Sequence, residues 1–354
     1  METKNRKKYR ALKVTGIILA VLIVIGLGAF FYVATHTQVV IGVLQQIGST
    51  GKPVNSYEPL NEPVNGMKEN GQYLISEINY STEYPNSFLD IIYPDSDLEA
   101  DRPTLIYFHG GGFFAGSKNM GDPLASSEAT YLLDDLCAQG YNIVNVDYAL
   151  VPDAHFPVPI EQANQAFAYI LEHGAEYHLN TDTIVLMGSS AGAIIVSQMG
   201  TIITAPGYAE LLGIEPALKR EQISAIVVDD APLVYEKFSL GCKFIVGNYV
   251  KGSIFLNKDE LNRYDCIPHM TGEYPAAIML GSEYRVDMND MHDRLEALGV
   301  ENVLVDPLAE HGSEQPHCFV ANERTDPIAK EAFERLIVFL SERTCIQEAN
   351  SHDD

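Results

Sequence analysis

Two glycine-rich segments and a later histidine are of the types that acyl transfer through a serine would require. The first segment is Gly188-Ser189-Ser190-Ala191-Gly192, directly after the apolar run Thr183-Ile184-Val185-Leu186-Met187. A G-x-S-x-G pattern where a buried strand turns sharply into a helix lifts the central hydroxyl, here Ser190, above the sheet edge. Small neighbours are needed because strand and helix leave the turn on top of one another. The second segment, His109-Gly110-Gly111-Gly112-Phe113, follows another apolar run and lies 81 positions before Ser190. Consecutive glycines free backbone N–H groups to point at a developing oxyanion, which fixed donors stabilise without reorganising. The expected donors are the amides of Gly111, Gly112 and Ala191. His109 reads as a structural anchor of this loop.

A serine hydroxyl needs a histidine to take its proton and an acid behind that histidine. His317, in Pro316-His317-Cys318-Phe319, falls between the last strand and the last helix of the pattern, where the base is expected. His311, in Glu310-His311-Gly312, is the competitor. The acid is sought in Gly281-Ser282-Glu283-Tyr284-Arg285-Val286-Asp287, with Asp287 favoured narrowly over Glu283. A solvated surface carboxylate is the plainer reading of either.

Such groups need a rigid sheet to hold them. From about Gln72, apolar strand segments (88–93, 104–108, 141–147, 183–187, 223–228, 276–280 and 303–305) alternate with helical patterns (125–139, 160–173, 191–203, 289–298 and 327–342). That alternation predicts an α/β fold with a mostly parallel sheet covered on both faces. Residues 234–272 break it and are expected as an insertion covering the site as a lid. Residues 35–71 read as a stalk or lead-in, 72–345 as the catalytic domain and 346–354 as a tail.

The chain has 354 residues, with 23 Lys plus Arg against 48 Asp plus Glu. Six bases (Lys4, Arg6, Lys7, Lys8, Arg10, Lys13) and one acid (Glu2) lie in residues 1–13, so the remainder carries 17 bases, 47 acids and a formal charge of −30. A surface so acidic disfavours nucleic acid as a partner. Residues 14–34 form a 21-residue stretch without a charge, long enough to span a bilayer. Basic residues on its N-terminal side predict a signal anchor with a cytoplasmic N-terminus and an extracytoplasmic domain. A cleaved signal peptide would have a shorter apolar region and a small-residue cleavage site. Five cysteines are too few for a disulfide framework; Cys242 and Cys266 either pair or remain free thiols. Their spacings match no metal-site template. The triplet Asn79-Tyr80-Ser81 has the form of a glycosylation site.

His109-Gly110-Gly111-Gly112, the stretch Val146-Asp147-Tyr148-Ala149-Leu150-Val151-Pro152 with Phe156-Pro157, and Gly188–Gly192 together resemble the α/β-hydrolase superfamily. The likeness is strongest to its hormone-sensitive-lipase-like branch, which includes arylacetamide deacetylases and many bacterial carboxylesterases, and extends over roughly residues 85–340. The resemblance implies an α/β-hydrolase fold and hydrolysis of acyl esters, short-chain ones above all, through an acyl-serine, without metal or organic cofactor. Two departures stand out. The branch's G-D-S-A-G is here G-S-S-A-G, and its catalytic Asp falls opposite Tyr284 or Arg285. The second departure keeps open the alternative of an impaired hydrolase serving as a binding module.

Overall fold

The computed structural model describes residues 2–48, 54–119 and 131–345. Its strands are β1 (Asn65–Met67), β2 (Tyr73–Asn79), β3 (Phe88–Tyr93), β4 (Pro103–Phe108), β5 (Asn142–Val146), β6 (Asn180–Ser189), β7 (Ile223–Asp229), β8 (Ala277–Leu280) and β9 (Asn302–Val305). They form one sheet in the order β1-β2-β3-β5-β4-β6-β7-β8-β9. β1 to β3 run antiparallel at one end, β3 pairs antiparallel with β5, and from β5 to β9 the pairings are parallel. Side chains alternate across the sheet. Ile184 and Leu186 of β6 join the core on one face, Val185 and Met187 the core on the other, so these strands read as continuous apolar runs.

The helices are α1 (Glu2–Thr35), α2 (Gln38–Gly48), α3 (Tyr131–Ala138), α4 (Val158–His173), α5 (Ala191–Thr204), α6 (Pro206–Leu212), α7 (Leu240–Lys251), α8 (Lys258–Tyr264), α9 (Arg285–Leu298), α10 (Pro307–His311), α11 (Phe319–Asn322) and α12 (Pro327–Thr344). The helix expected over 125–139 lies partly outside the described residues, as does the tail 346–354. α5 is buried along nearly its whole length, which explains a sequence apolar on every side.

Two segments differ from expectation. Residues 35–71, read as a stalk, carry α2 and β1, and α2 packs against α7. The strand β2 was not foreseen, because its Ser76 and Glu77 interrupt the apolar pattern at a register shift. All five cysteines are free thiols, with Cys242 and Cys266 both buried. α1 is long and apolar enough to cross a membrane by length and composition, and its apolar window is 6% buried.

Register fixes what meets at the end of the sheet. Ser189 pairs with Asp229, and Asp229 with Leu280. The next residues, Ser190, Asp230 and Gly281, therefore leave three neighbouring parallel strands side by side. In such a sheet, ligands bind beyond the carboxyl ends of the strands.

Candidate active site

Ser190 occupies the turn from β6 into α5 with φ 54° and ψ −113°, a conformation costing of order 1–3 kcal/mol for a residue with a side chain. It is held by its N–H, which donates to the Asp229 carbonyl at 2.8 Å, and by close backbone approach. A Cβ on Gly192 would fall 1.9 Å from the Phe108 carbonyl oxygen, and one on Gly188 2.2 Å from the Gly192 carbonyl. Both positions require glycine. Phe113, Asp230 and Cys318 also have positive φ, so four non-glycine residues around one opening are held in strained backbone.

The loop after β4 brings its glycines beside Ser190. Gly111 and Gly112 have φ of 109° and 59°, and Gly112, Ser190, Ala191 and His317 line one pocket. Among the described residues no acceptor takes the N–H groups of Gly111, Gly112 or Ala191. Phe113 stacks on Tyr249 at 3.5 Å between ring centroids, and His109 on Tyr148 at 4.3 Å. The Tyr148 hydroxyl donates to the His109 carbonyl at 2.7 Å. His109 is thus wedged under the loop, with Nε2 3.5 Å from Asp147. The loop's far end is tied down by buried Lys118, whose ammonium lies 2.7 Å from Glu77, 3.2 Å from Asp90 and 4.0 Å from Asp147.

His317 enters the pocket from the loop between α10 and α11, where Asn322 donates to its carbonyl at 2.7 Å. Its Nδ1 lies 2.5 Å from Asp230 Oδ2. With a carboxylate as acceptor Nδ1 carries the proton, which leaves the ring's lone pair on Nε2. The Cys318 Sγ is 3.6 Å from Nε2, and Tyr284 meets the ring edge-on at 5.2 Å. His311 is elsewhere, exposed and 3.6 Å from Glu331.

The acid expected from sequence is not the one the structure brings to the histidine. Asp287 is buried in the first turn of α9, where it accepts the N–H groups of Leu233 at 2.9 Å and Val234 at 2.7 Å. It braces that loop, and its hydrogen bonds go there. Glu283 comes to 3.8 Å of Nδ1 with its side chain 59% exposed. Asp230 is fully buried and sits in a cradle made by the very loop searched for the acid. Ser282 N–H (2.8 Å), Glu283 N–H (3.1 Å), Tyr284 N–H (2.9 Å) and the Ser282 hydroxyl (2.6 Å) all donate to it. Burial alone would raise its pKa. The His317 hydrogen bond and charge, with the Ser282 hydroxyl and N–H, outweigh that and hold it below the usual carboxylate range. The sequence signal was available: Asp229-Asp230 closes an otherwise apolar strand, and the order serine, acid, histidine is kept.

Its neighbour behaves oppositely. Asp229 is buried, with Oδ2 accepting the Ser189 hydroxyl at 2.7 Å and no partner for Oδ1. Burial, with the adjacent Asp230 charge, pushes its carboxyl up to about 7 despite the Ser189 bond. Ser189 also accepts the Tyr107 hydroxyl at 3.1 Å. The residue that departs from G-D-S-A-G is therefore the middle link of a buried polar chain, Tyr107 to Ser189 to Asp229, beneath the serine.

The pocket holds about 230 Å³ and is walled by Phe113, Ile194, Cys242, Ile245, Val246 and Tyr284. Three of these, Cys242, Ile245 and Val246, belong to α7 within the segment 234–272. α7 is a well-terminated helix, capped by the Ser239 hydroxyl and closed by Gly252 at φ 79°.

The family model described as BD-FAE matches residues 89–230. An esterase of Gibberella moniliformis is 34% identical over 160 residues, 44% of this chain and 46% of that protein. The acetyl esterase of Salmonella paratyphi B is 36% identical over 100 residues, 28% of this chain and 29% of that one. The matched stretches thus span less than half the length of these curated relatives. Esterase B of Lactobacillus rhamnosis shares the fold with a TM-score of 0.63 at 20% identity, covering 79% of this chain and 89% of that one. A truncated carbohydrate esterase from gut microbiota does so with a TM-score of 0.61 at 16% identity, covering 79% and 100%. With this strand order and a serine on the turn after β6, the chain has the α/β-hydrolase fold and is similar to esterases that share it.

Proposed function

We propose that the protein is a membrane-anchored serine carboxylesterase, with Ser190 as nucleophile, His317 as general base and Asp230 as the acid behind it. The observation that carries this reading is the 2.5 Å pairing of His317 with buried Asp230, in the pocket that also holds Ser190 and the glycine loop. Ser190 Oγ attacks the ester carbonyl carbon as His317 Nε2 takes its proton. Asp230 stabilises the imidazolium that forms. The N–H groups of Gly111, Gly112 and Ala191 receive the oxyanion. His317 then returns the proton to the leaving alcohol, and water repeats the sequence on the acyl-serine.

A pocket of about 230 Å³, below the usual range for ligand sites, favours short acyl groups. The tributyrin-type phosphonate bound by esterase B of Lactobacillus rhamnosis is consistent with that choice. The displaced acid that motivated a binding-module reading is accounted for by Asp230. The apolar stretch of α1, with basic residues on its N-terminal side, favours an anchor with the catalytic domain outside the cytoplasm.

The full chain should hydrolyse p-nitrophenyl acetate and be labelled by a fluorophosphonate. Ser190→Ala should abolish labelling and lower turnover ~10⁶-fold, the scale seen when a serine nucleophile is removed. Unchanged hydrolysis in that variant would sink the proposal.

A further inference from the structure

The helix after the candidate anchor carries apolar side chains on its exposed side as well as on its buried one, where Ile41 packs inward. Gln38 and Gln45 of α2 face the protein. Gln38 Oε1 accepts from Asn248 at 2.9 Å, and Gln45 Nε2 donates to the Phe114 and Val151 carbonyls at 3.0 and 2.6 Å. Its outer side carries Val39, Val43 and Ile47, spaced four residues apart and 49%, 53% and 77% exposed, with Leu44 beside them. A helix of a water-soluble domain keeps its outer face polar. Apolar side chains lined up on an exposed face mark a surface that meets something apolar.

Two further observations identify what that is. The chain contains no Asp, Glu, Lys or Arg between Lys13 and Lys52, so the part of α1 after Lys13 and all of α2 form one uncharged stretch on an otherwise acidic protein. α2 is also fixed in direction relative to α1. Thr37 N–H donates to the Gly252 carbonyl at 3.0 Å and Ile254 N–H to the Ala34 carbonyl at 2.9 Å. Thr37 Oγ1 donates to Asn248 at 2.8 Å, and Phe31 lies 6.0 Å from half-exposed Phe255. The elbow between the two helices is thus bolted onto the end of α7.

We propose that the outer face of α2 lies on the lipid surface, as a platform that seats the pocket beside the bilayer. The proposal rests on reading α1 as a membrane anchor. Ile245 is the link between the two sites, since it lines the pocket on one side and packs against Ile41, Phe114 and Val151 on the other. Only about one helix diameter, ~10 Å, separates the apolar stripe from that wall. Esters dissolved in the membrane reach the site without crossing bulk water.

The chain contains no tryptophan, so a single Trp reports its own surroundings. Full-length Phe30→Trp, Val43→Trp and Val338→Trp would be reconstituted in phosphatidylcholine vesicles with and without brominated lipid. Val43→Trp should be quenched about as strongly as Phe30→Trp and several-fold more than Val338→Trp on the distant α12. Quenching at position 30 but not 43 overturns the platform and leaves the anchor standing. No quenching at 30 removes the anchor and the platform with it. Blue-shifted but unquenched emission at 43 means a second copy covers the stripe, and also overturns the proposal. In the Val39→Ser/Val43→Ser/Ile47→Ser variant, the rate on a long-chain alcohol acetate held in vesicles, relative to dissolved p-nitrophenyl acetate, should fall several-fold. An unchanged ratio overturns the access role.

Discussion

Two buried ions flank the serine, and they are stabilised by different means. Asp230 is held by the His317 hydrogen bond and charge together with neutral dipoles, four backbone N–H groups (Ser282, Glu283, Tyr284 and Cys318) and the Ser282 hydroxyl. Lys118 is held by the carboxylates of Glu77, Asp90 and Asp147. Backbone dipoles do not titrate, so their share of the stabilisation is the same at every pH. Counter-charges do titrate, and burial pushes Asp90 up to about 6 in spite of Lys118 beside it. A reaction that needs a fixed charge has the dipole cradle. The loop that needs only to be clamped has the charge cluster.

The comparison is open to direct attack. The largest effect should come from Asp230→Asn, since loss of the acid of such a triad lowers turnover ~10⁴-fold. Asp287→Asn and Glu283→Gln should leave p-nitrophenyl acetate turnover largely intact. If Glu283→Gln is the damaging change, the acid has been misassigned. Next is Lys118→Met, which strands three carboxylates in the interior. Breaking a buried ion pair by removing one partner costs about 3–5 kcal/mol, readable as a lowered urea midpoint for the full chain in detergent. An unchanged midpoint would mean the cluster clamps nothing.

A smaller effect is expected for Ser282→Ala, which removes one donor of the cradle and leaves its N–H groups in place. A hydrogen bond to a charged group contributes about 1.5–3 kcal/mol, enough to lower turnover and move the acid limb of the pH–rate profile upward. A profile that does not move would show the N–H groups suffice. The smallest effect concerns pH. Asp229, at about 7, and Asp90 and Asp265, each at about 6, hold protons in the folded state that unfolded chains release near 3.8. The folded state binds more protons in that window, so stability should fall as pH rises from about 4 through about 7. Asp229→Asn should flatten the upper part of that decline in denaturation curves measured across pH.

Much of the site was legible because its signals are local. Gly188 is required by a contact within one turn and the glycines after His109 lie in one loop, although Gly192 is required by the more distant Phe108 carbonyl. The acid was not legible, because its place depends on register. Asp230 is next to Ser190 only through the pairing of Asp229 with Ser189, and Gly281–Tyr284 reads as the acid's loop while serving as its receptor. The parallel strands were readable from apolar runs buried on both faces. α2 was not, since a helix with glutamines inward and valines outward contradicts the rule by which helices are recognised.

The contact between Gly192 and the Phe108 carbonyl has a consequence for how this scaffold can change. The turn that carries Ser190 and the start of the glycine loop touch through main-chain atoms, so their separation is a property of the backbone and not of any replaceable side chain. The opposite wall, from Cys242 to Val246, consists of ordinary side chains on an inserted helix. Substitutions there can retune which acyl group fits while the reacting geometry stays constant. Directed evolution of selectivity should therefore begin at Cys242, Ile245 and Val246 and leave Gly188 and Gly192 untouched.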